Sequence, residues 1–295
     1  MGTLEGRVAL VTGGGRGLGR SHALLLAQQG ARVVVNDPGG GPDGTGHDDG
    51  PAASVVAEIR AAGGEAIPNT DSVTDFAGAA RMVRAAIDTF GDLHIVINNA
   101  GILRDRMLVG MSEEEFDDVL AVHLKGTFAV TRHAADHWRT EVKRTGGTVD
   151  AAVVNTSSPA GLHGNIGQTN YAAAKSGIAT MTVSWARELE RYGVRVNAIA
   201  PVARTRLTEQ SPASADVVRA PDDPSVLDRF APEHISPLVV HLASPGCPFT
   251  GQVFGIDGAS ITRYRTWSPV ERRTSDTGWT LGSVADALAD LPPTP

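Results

Sequence analysis

"RVALVTGGGRGLGR", residues 7–20, joins an apolar run to five glycines within seven residues, and a helical pattern, "GRSHALLLAQQG" (19–30), follows at once. Glycine lets a backbone turn sharply and come close to a pyrophosphate, and a helix N-terminus turns unpaired N–H groups and a positive dipole end toward the anion. The strand before the glycines and the helix after them are the context that such a turn requires. Gly13, Gly17 and Gly19 are spaced G-x-x-x-G-x-G, with Arg16 and Leu18 in the same turn. Asp37 closes the next apolar run, "ARVVVND" (31–37), about 20 residues on, where an acidic group can bind a ribose 2′-hydroxyl. A carboxylate there repels a 2′-phosphate, so the expected cofactor is NAD rather than NADP. The plainer reading of Asp37 is the start of a turn ahead of Pro38. Asp71 and Ser72, in "NTDSVTD" (69–75) just past the third strand, are read either as contacts to an adenine edge or as a plain turn or helix cap.

Outward from this stretch the pattern repeats. "LHIVINN" (93–99), "AAVVNTS" (151–157), "VRVNAIA" (194–200) and "GQVFGID" (251–257) are nearly continuous apolar runs rich in Val and Ile, as strands covered on both faces are. Between them, segments such as 52–64, 76–91, 113–138 and 170–193 place apolar residues at three- and four-residue spacing, and most stop at Gly. Strand and helix alternate about six times, the pattern of a doubly wound fold. The expectation is a single α/β Rossmann-like domain, a parallel sheet of about seven strands with helices on both faces. It should span residues 1–262, with 263–295 as a C-terminal extension that packs on the domain or on a neighbouring subunit and carries a short helix near 283–290. "PGGGPDGTGHDDGPA" (38–52) has no periodicity and reads as a mobile loop.

"NTSSPAGLHGNIGQTNYAAAK" (155–175) carries the candidate chemistry. Tyr171 and Lys175 stand four apart on a helical pattern and so project from one face. A tyrosine in water titrates near ~10, and a nearby ammonium favours its phenolate, so Lys175 should make Tyr171 a usable proton carrier. Ser158 lies thirteen positions upstream of Tyr171 at the end of a strand, the sheet edge where open α/β folds bind ligands.

The order "TGGGRGLG", "NNAG", Ser158, "YAAAK" resembles the short-chain dehydrogenase/reductase family over about residues 5 to 262. Within it, "VVVNDPGG", "NNAGILRDR", "AVHLKGTF" and "GNIGQTNYAAAK" are most similar to the (3R)-hydroxyacyl-CoA dehydrogenase modules of multifunctional β-oxidation proteins. The resemblance implies hydride transfer with NAD(H) between a secondary alcohol and a ketone, plausible substrates being 3-hydroxyacyl and 3-oxoacyl thioesters. It implies that Tyr171 is the general acid/base, that Lys175 holds the nicotinamide ribose and lowers the Tyr pKa, and that Ser158 hydrogen-bonds the substrate oxygen. Gly13, Arg16, Gly17, Leu18 and Gly19 would form the pyrophosphate loop, and Asn99, Ala100 and Gly101 the segment beside the cofactor. His123 stands where most members carry an Asn that supports a water leading to the Lys. An imidazole titrates near ~6.5, so it should give that relay a different pH dependence. Thr205 is assigned to the nicotinamide carboxamide, although "APVARTR" lacks the usual Pro-Gly and is one residue short. Residues 206–232 would be the substrate lid. Members usually associate as homodimers or homotetramers. Rival readings are a steroid or other small-alcohol dehydrogenase, and a non-catalytic NADH-binding regulator, whose mark would be a broken Ser, Tyr or Lys.

Composition bounds the remainder. The chain has 295 residues, 41% hydrophobic and 20% charged, enough for a substantial core. Lys and Arg number 26 against 33 Asp and Glu, a formal charge of -7 without a basic cluster, so nucleic acid is not an expected partner. No window has the ~18 apolar residues of a membrane span. "MGTLEG" has Gly6 where a myristoylation site needs Ser or Thr, and the single Cys247 makes no internal disulfide. A cytoplasmic address is expected, and no metal. Arg104 and Arg106 in "NNAGILRDRM" (98–107) are read as a solvated cluster at the pocket rim, the alternative being an edge for a nucleotide-like phosphate.

Overall fold

The computed structural model describes residues 2–210, 215–223, 225–265 and 268–291. They divide into two compact units, one ending at Tyr264 and the other beginning at Arg265.

In the first unit, strands β1 (Val8–Thr12), β2 (Arg32–Asn36), β3 (Ala66–Asn69), β4 (Ile95–Asn98), β5 (Ala151–Thr156), β6 (Val194–Pro201), β7 (Val253–Ile256) and β8 (Ile261–Tyr264) form one sheet in the order β3-β2-β1-β4-β5-β6-β7-β8. The pairings from β3 to β7 are parallel, and β8 is antiparallel to β7. The sheet therefore has the expected parallel core, seven strands, with β8 added antiparallel at one edge. Thr262 and Arg263 pair with Gly255 and Phe254.

Every residue of β1, β4, β5 and β7 is buried, because helices cover both faces. Side chains alternate along a strand. Ala9 and Val11 accordingly join a core with α1 (Gly17–Gln28), α2 (Gly50–Ala61) and α9 (Ser236–Ala243), whereas Val8 and Leu10 join one with α3 (Phe76–Phe90) and α5 (Gly126–Thr145), where Trp138 is fully buried. Between β4 and α5, α4 (Glu113–Leu120) starts in a capping box formed by Ser112 and Glu115 and runs into α5 through a π turn, Ala121–Lys125. Such one-residue expansions of a helix are frequent at functional sites. After β5 come α6 (Pro159–His163) and α7 (Thr169–Leu189), and after β6 comes α8 (Arg206–Gln210).

The Gly-rich segment expected to be mobile is tethered. Leu103 N donates to Pro42 O at 3.0 Å, Asp48 N to Pro38 O at 3.0 Å, and both Arg16 (3.2 Å) and Arg206 (3.1 Å) donate to Gly40 O. Its last three residues open α2, with Pro51 and Ala52 buried. Of the expected lid, 211–214 and 224 lie outside the described residues. The described part is held by the Arg204–Asp228 ion pair and by Arg229, which donates to Asp257 at 2.9 and 2.7 Å.

The second unit holds α10 (Leu281–Leu288), capped by Thr280 and Ser283. Arg273 binds Ala287 O at 2.9 Å and Asp290 at 2.8 Å. No helix among the described residues is long and apolar enough to cross a membrane.

Candidate active site

Parallel pairing brings the carboxyl ends of β1, β4, β5 and β6 to one edge, and a cleft of about 650 Å³ runs along it. Its lining comes from the segments that leave these strands: Gly13, Arg16 and Leu18, Asn99 to Leu103, Thr156 to Pro159, and Pro201 to Ala203 with Thr205. Asp37, Ser72, His123, Tyr171 and Lys175 line the same cleft.

At one end stands the glycine turn. A Cβ on Gly19 would lie 2.0 Å from Gly13 O, so only glycine lets α1 pack this tightly under the loop. Gly17 and Gly19 shape the turn without lining the cleft, and a Cβ on Gly17 would meet Thr205 at 3.4 Å. Asp37 is fixed by two backbone donors, Gly15 N at 2.9 Å and Gly39 N at 2.8 Å. Arg16 also lies 3.8 Å from Asp48. Asp71 is placed differently: its carboxylate takes Arg81 at 2.6 Å and Asn69 Nδ2 at 2.9 Å, outside the lining.

The sheet edge is stiffened by amides that share a register. Asn98 pairs with Asn155 across β4 and β5, and Asn98 Nδ2 donates to Asn155 Oδ1 and Thr131 Oγ1, both at 2.9 Å. Asn155 Nδ2 continues to Thr182 Oγ1 on α7 at 2.9 Å. Asn99 Nδ2 reaches back to Thr12 O and Gly13 O, both at 3.1 Å, tying β4 to the glycine turn. Buried polar groups persist when they are paired in this way.

At the other end, Lys175 Nζ donates to Thr156 O at 2.6 Å and lies 5.5 Å from the centre of the Tyr171 ring. Ser158 caps α6, its Oγ accepting from Ala160 N at 3.2 Å. The π turn brings His123 into the same space, edge-on to Tyr171 with ring centres 5.2 Å apart. His123 Nε2 lies 2.8 Å from Ile102 O and 3.1 Å from Ile102 N, and its buried Nδ1 has no protein partner. A Cβ on Gly101 would sit 2.4 Å from His123 Cε1, so the glycine of "NNAG" makes room for the imidazole.

Burial dominates the electrostatics. It pushes the Tyr171 phenol up to about 12, with the Ser158 hydroxyl pulling it back and the Asp105 charge raising it further. It lowers Lys175 to about 7. Desolvation thus disfavours the charged form of each group taken separately. His123 is lowered to about 3, first by burial and then by Lys175, with its bond to Ile102 opposing. It stays neutral across the physiological range and adds no titration near 6.5.

Arg104 and Arg106 are not free charges: Arg104 pairs with Asp118 at 3.3 Å and Arg106 with Glu115 at 3.0 Å. Thr156, Ile102, Gln168 and Asn165 were not singled out by sequence. Gln168 stands one helical turn before Tyr171, and that spacing was the available signal.

The carboxyl edge of the parallel sheet thus joins a glycine turn to Tyr171 and Lys175 in one cleft, and comparison with known proteins places the chain among oxidoreductases of hydroxyl and keto groups. Residues 7–215 match the short chain dehydrogenase family, and the chain belongs to it; the family uses nicotinamide cofactors. The hydroxyacyl-CoA dehydrogenase ChsB1 of Mycobacterium tuberculosis is 46% identical over 299 residues, 97% of this chain and 89% of that protein. Peroxisomal multifunctional enzyme type 2 of Mus musculus is 42% identical over 88% of this chain, which spans 33% of that longer protein. A crystal structure of a short chain dehydrogenase from Mycobacterium avium has a TM-score of 0.84 at 47% identity, covering 98% of this chain and 96% of its own. Another from Burkholderia cenocepacia, in complex with NADP, has a TM-score of 0.73 at 27% identity over 87% of this chain and 98% of its own.

Proposed function

We propose that the chain interconverts a secondary alcohol and a ketone at Ser158, Tyr171 and Lys175, with NAD(H) as cofactor and a 3-hydroxyacyl or 3-oxoacyl thioester as substrate. The carrying observation is that these three side chains share one cleft with the glycine turn and Asp37. The cleft suits a dinucleotide: α1 opens toward it, Asp37 is an anchored acceptor for a ribose hydroxyl, and the Thr156 hydroxyl is buried without a protein partner. Gly13, Arg16, Gly17, Leu18, Gly19, Asp37, Ser72, Asn99, Ala100, Gly101, Lys175 and Thr205 would hold the cofactor. Asp71, engaged by Arg81 and Asn69, lies beside Ser72 but outside the lining. When bound, the nicotinamide supplies or accepts the hydride.

The protein's own share is position and proton transfer. Tyr171, protonated at neutral pH, gives its proton from Oη to a ketone oxygen that Ser158 Oγ orients, and recovers one when the alcohol is oxidised. Lys175 binds the cofactor ribose and stabilises the phenolate as it forms. His123, neutral and fixed on Ile102, walls the pocket beside the phenol. The thioester assignment is supported by the hydroxyacyl-CoA dehydrogenase relative. NADP is the second reading, because Arg16 lines the cleft close to Asp37 and offers a cation to a 2′-phosphate. Association into a homodimer or homotetramer is supported by the exposed Phe76 and Phe128, stacked with ring centres 6.3 Å apart.

The test is Tyr171→Phe assayed at 340 nm with NADH and NADPH against 3-oxoacyl-CoA, steroid and simple ketones. The expected result is NADH-dependent turnover of the thioester that falls about 10²- to 10⁴-fold in the variant while NADH still binds. Turnover that survives the substitution removes Tyr171 from the mechanism.

A further inference from the structure

Arg206 leaves β6 beside the glycine turn and ends beyond it. Its neighbour Thr205 faces the first residue of α1, where a Cβ on Gly17 would meet the threonine methyl at 3.4 Å, and its own Nη1 donates at 3.1 Å to Gly40 O, in the segment that follows β2. In the order β2-β1-β4-β5-β6 the side chain thus spans the sheet edge from the outlet of β6 to that of β2, passing the start of α1. Arg16, the residue before α1, donates to the same oxygen at 3.2 Å. Both arginines line the cleft.

Two cations on one neutral carbonyl repel each other, and little on the chain offsets that. Arg16 lies 3.8 Å from the exposed Asp48, whereas no carboxylate of the described residues pairs with Arg206. Asp37 is taken by the Gly15 and Gly39 amides. Burial lowers the pKa of Arg206 first and the charge of Arg16 second, with Asp37 and Asp43 opposing from longer range. Here α1 starts without a side-chain cap and without an acidic residue in its first turn, so no carboxylate of that turn matches its positive end.

We propose that Arg206 and Arg16 form a clamp for the pyrophosphate of the cofactor, Arg206 being its second cation, and that Gly40 O holds the two guanidinium groups in place for that anion. The inference rests on the reading of this cleft as the cofactor site. A dinucleotide pyrophosphate is doubly negative; the end of α1 supplies about half a charge and Arg16 one more, so a second guanidinium completes the balance. The planar fork of a guanidinium matches a phosphate and carries donors beyond the one that Gly40 O takes. Asp37, bonded to Gly39 N one residue from Gly40, favours the bridging pyrophosphate over a ribose 2′-phosphate, which that carboxylate repels.

The experiment titrates the full chain without substrate: NADH and NADPH by nicotinamide fluorescence, and ADP-ribose and adenosine by calorimetry, in the parent, Arg206→Gln and Arg206→Lys, with thermal unfolding of each. Arg206→Gln is expected to weaken NADH and ADP-ribose together, roughly 10- to 100-fold for charge-assisted hydrogen bonds, and adenosine by less than about twofold. Arg206→Lys keeps the charge without the fork and is expected to lose roughly three- to tenfold on the same two ligands; it carries the test where Arg206→Gln does not fold. NADH affinity within about twofold of the parent in Arg206→Gln overturns the inference. So does an equal loss for adenosine, which makes Arg206 a residue that shapes the 38–49 segment, and so does a loss confined to NADPH, which moves the contact to the 2′-phosphate. A parent chain that binds neither NADH nor NADPH is a different result: it removes the cofactor reading and the inference with it, whereas a parent that binds NADH beside an Arg206→Gln that binds it equally removes the inference alone.

Discussion

Replacing Gly101 by Ala tests how His123 is held. The added methyl carbon would stand 2.4 Å from His123 Cε1, against about 3.5–4.0 Å for an ordinary carbon contact, so the ring must retreat by more than about 1 Å. It has nowhere to go: the imidazole is 1% exposed, Nε2 is held on the backbone of Ile102, and Tyr171 stands edge-on beside it. Overpacking costs about 1–3 kcal/mol, and parting the ring from Ile102 adds about 1–3 kcal/mol for buried groups left unpaired. Gly101→Ala should therefore lose about 2–6 kcal/mol, a fall in Tm of roughly 3–12 °C. The assay is a cycle with His123→Ala, which removes the obstacle. In that background Gly101→Ala should cost little, so most of its loss in the parent should appear as coupling between the two sites. Additive losses, within about 0.5 kcal/mol, would show that the ring and the glycine do not meet, and the account of His123 would fail.

Acid should loosen the fold. His22, buried against Ser236 at 2.8 Å, and His123 are both held at about 3 by burial, below the ordinary ~6.5 of an unfolded histidine. Each keeps its stabilising share above pH ~6.5 and loses it as the pH falls, about 2 kcal/mol apiece by pH 5. Tm measured from pH 7.5 to 5 should drop, and His22→Gln should flatten the drop; an unchanged slope in that variant would refute the assignment. Asn98→Leu keeps the forked heavy-atom shape but leaves Asn155 Oδ1 and Thr131 Oγ1 without their donor, at a cost of about 1–3 kcal/mol read by urea unfolding. A change under about 0.5 kcal/mol would mean that the amide ladder does not brace β4 on β5.

The doubly wound core was legible because its signals are local. Val-rich runs, helical spacing and five glycines on a helix entrance each reveal themselves within a dozen residues, and so does the four-residue step from Tyr171 to Lys175. The β8 pairing was missed because Ile261, Thr262 and Arg263 are exposed and leave no apolar signature. The Asp71–Arg81 pair was not legible because Arg81 lies ten positions on, around the first turns of α3. The segment 38–49 read as loose because glycine density says nothing about which carbonyls are taken, and its tethers come from Leu103, Arg16 and Arg206. Gln168 Nε2 donates to Asp105 Oδ2, 63 positions away, so no spacing rule joins them. The directions of the Tyr171 and Lys175 shifts depend on how dry the pocket is, a property of the packed fold.

The π turn at Ala121–Lys125 has a further consequence for how this chain can vary in length. It is in effect one residue more than a regular helix would hold, and each residue advances a helix by about 100° and 1.5 Å. Removing one residue there would bring α4 into phase with α5 and swing its far end by that angle. Glu115 would leave with it, although its carbonyl anchors Asn170 at 2.9 Å and its carboxylate holds Arg106. Substitutions on the outer face of this helix are cheap, but the count of residues along it is pinned at both ends, by His123 on one side and by Glu115's hold on Asn170 and Arg106 on the other.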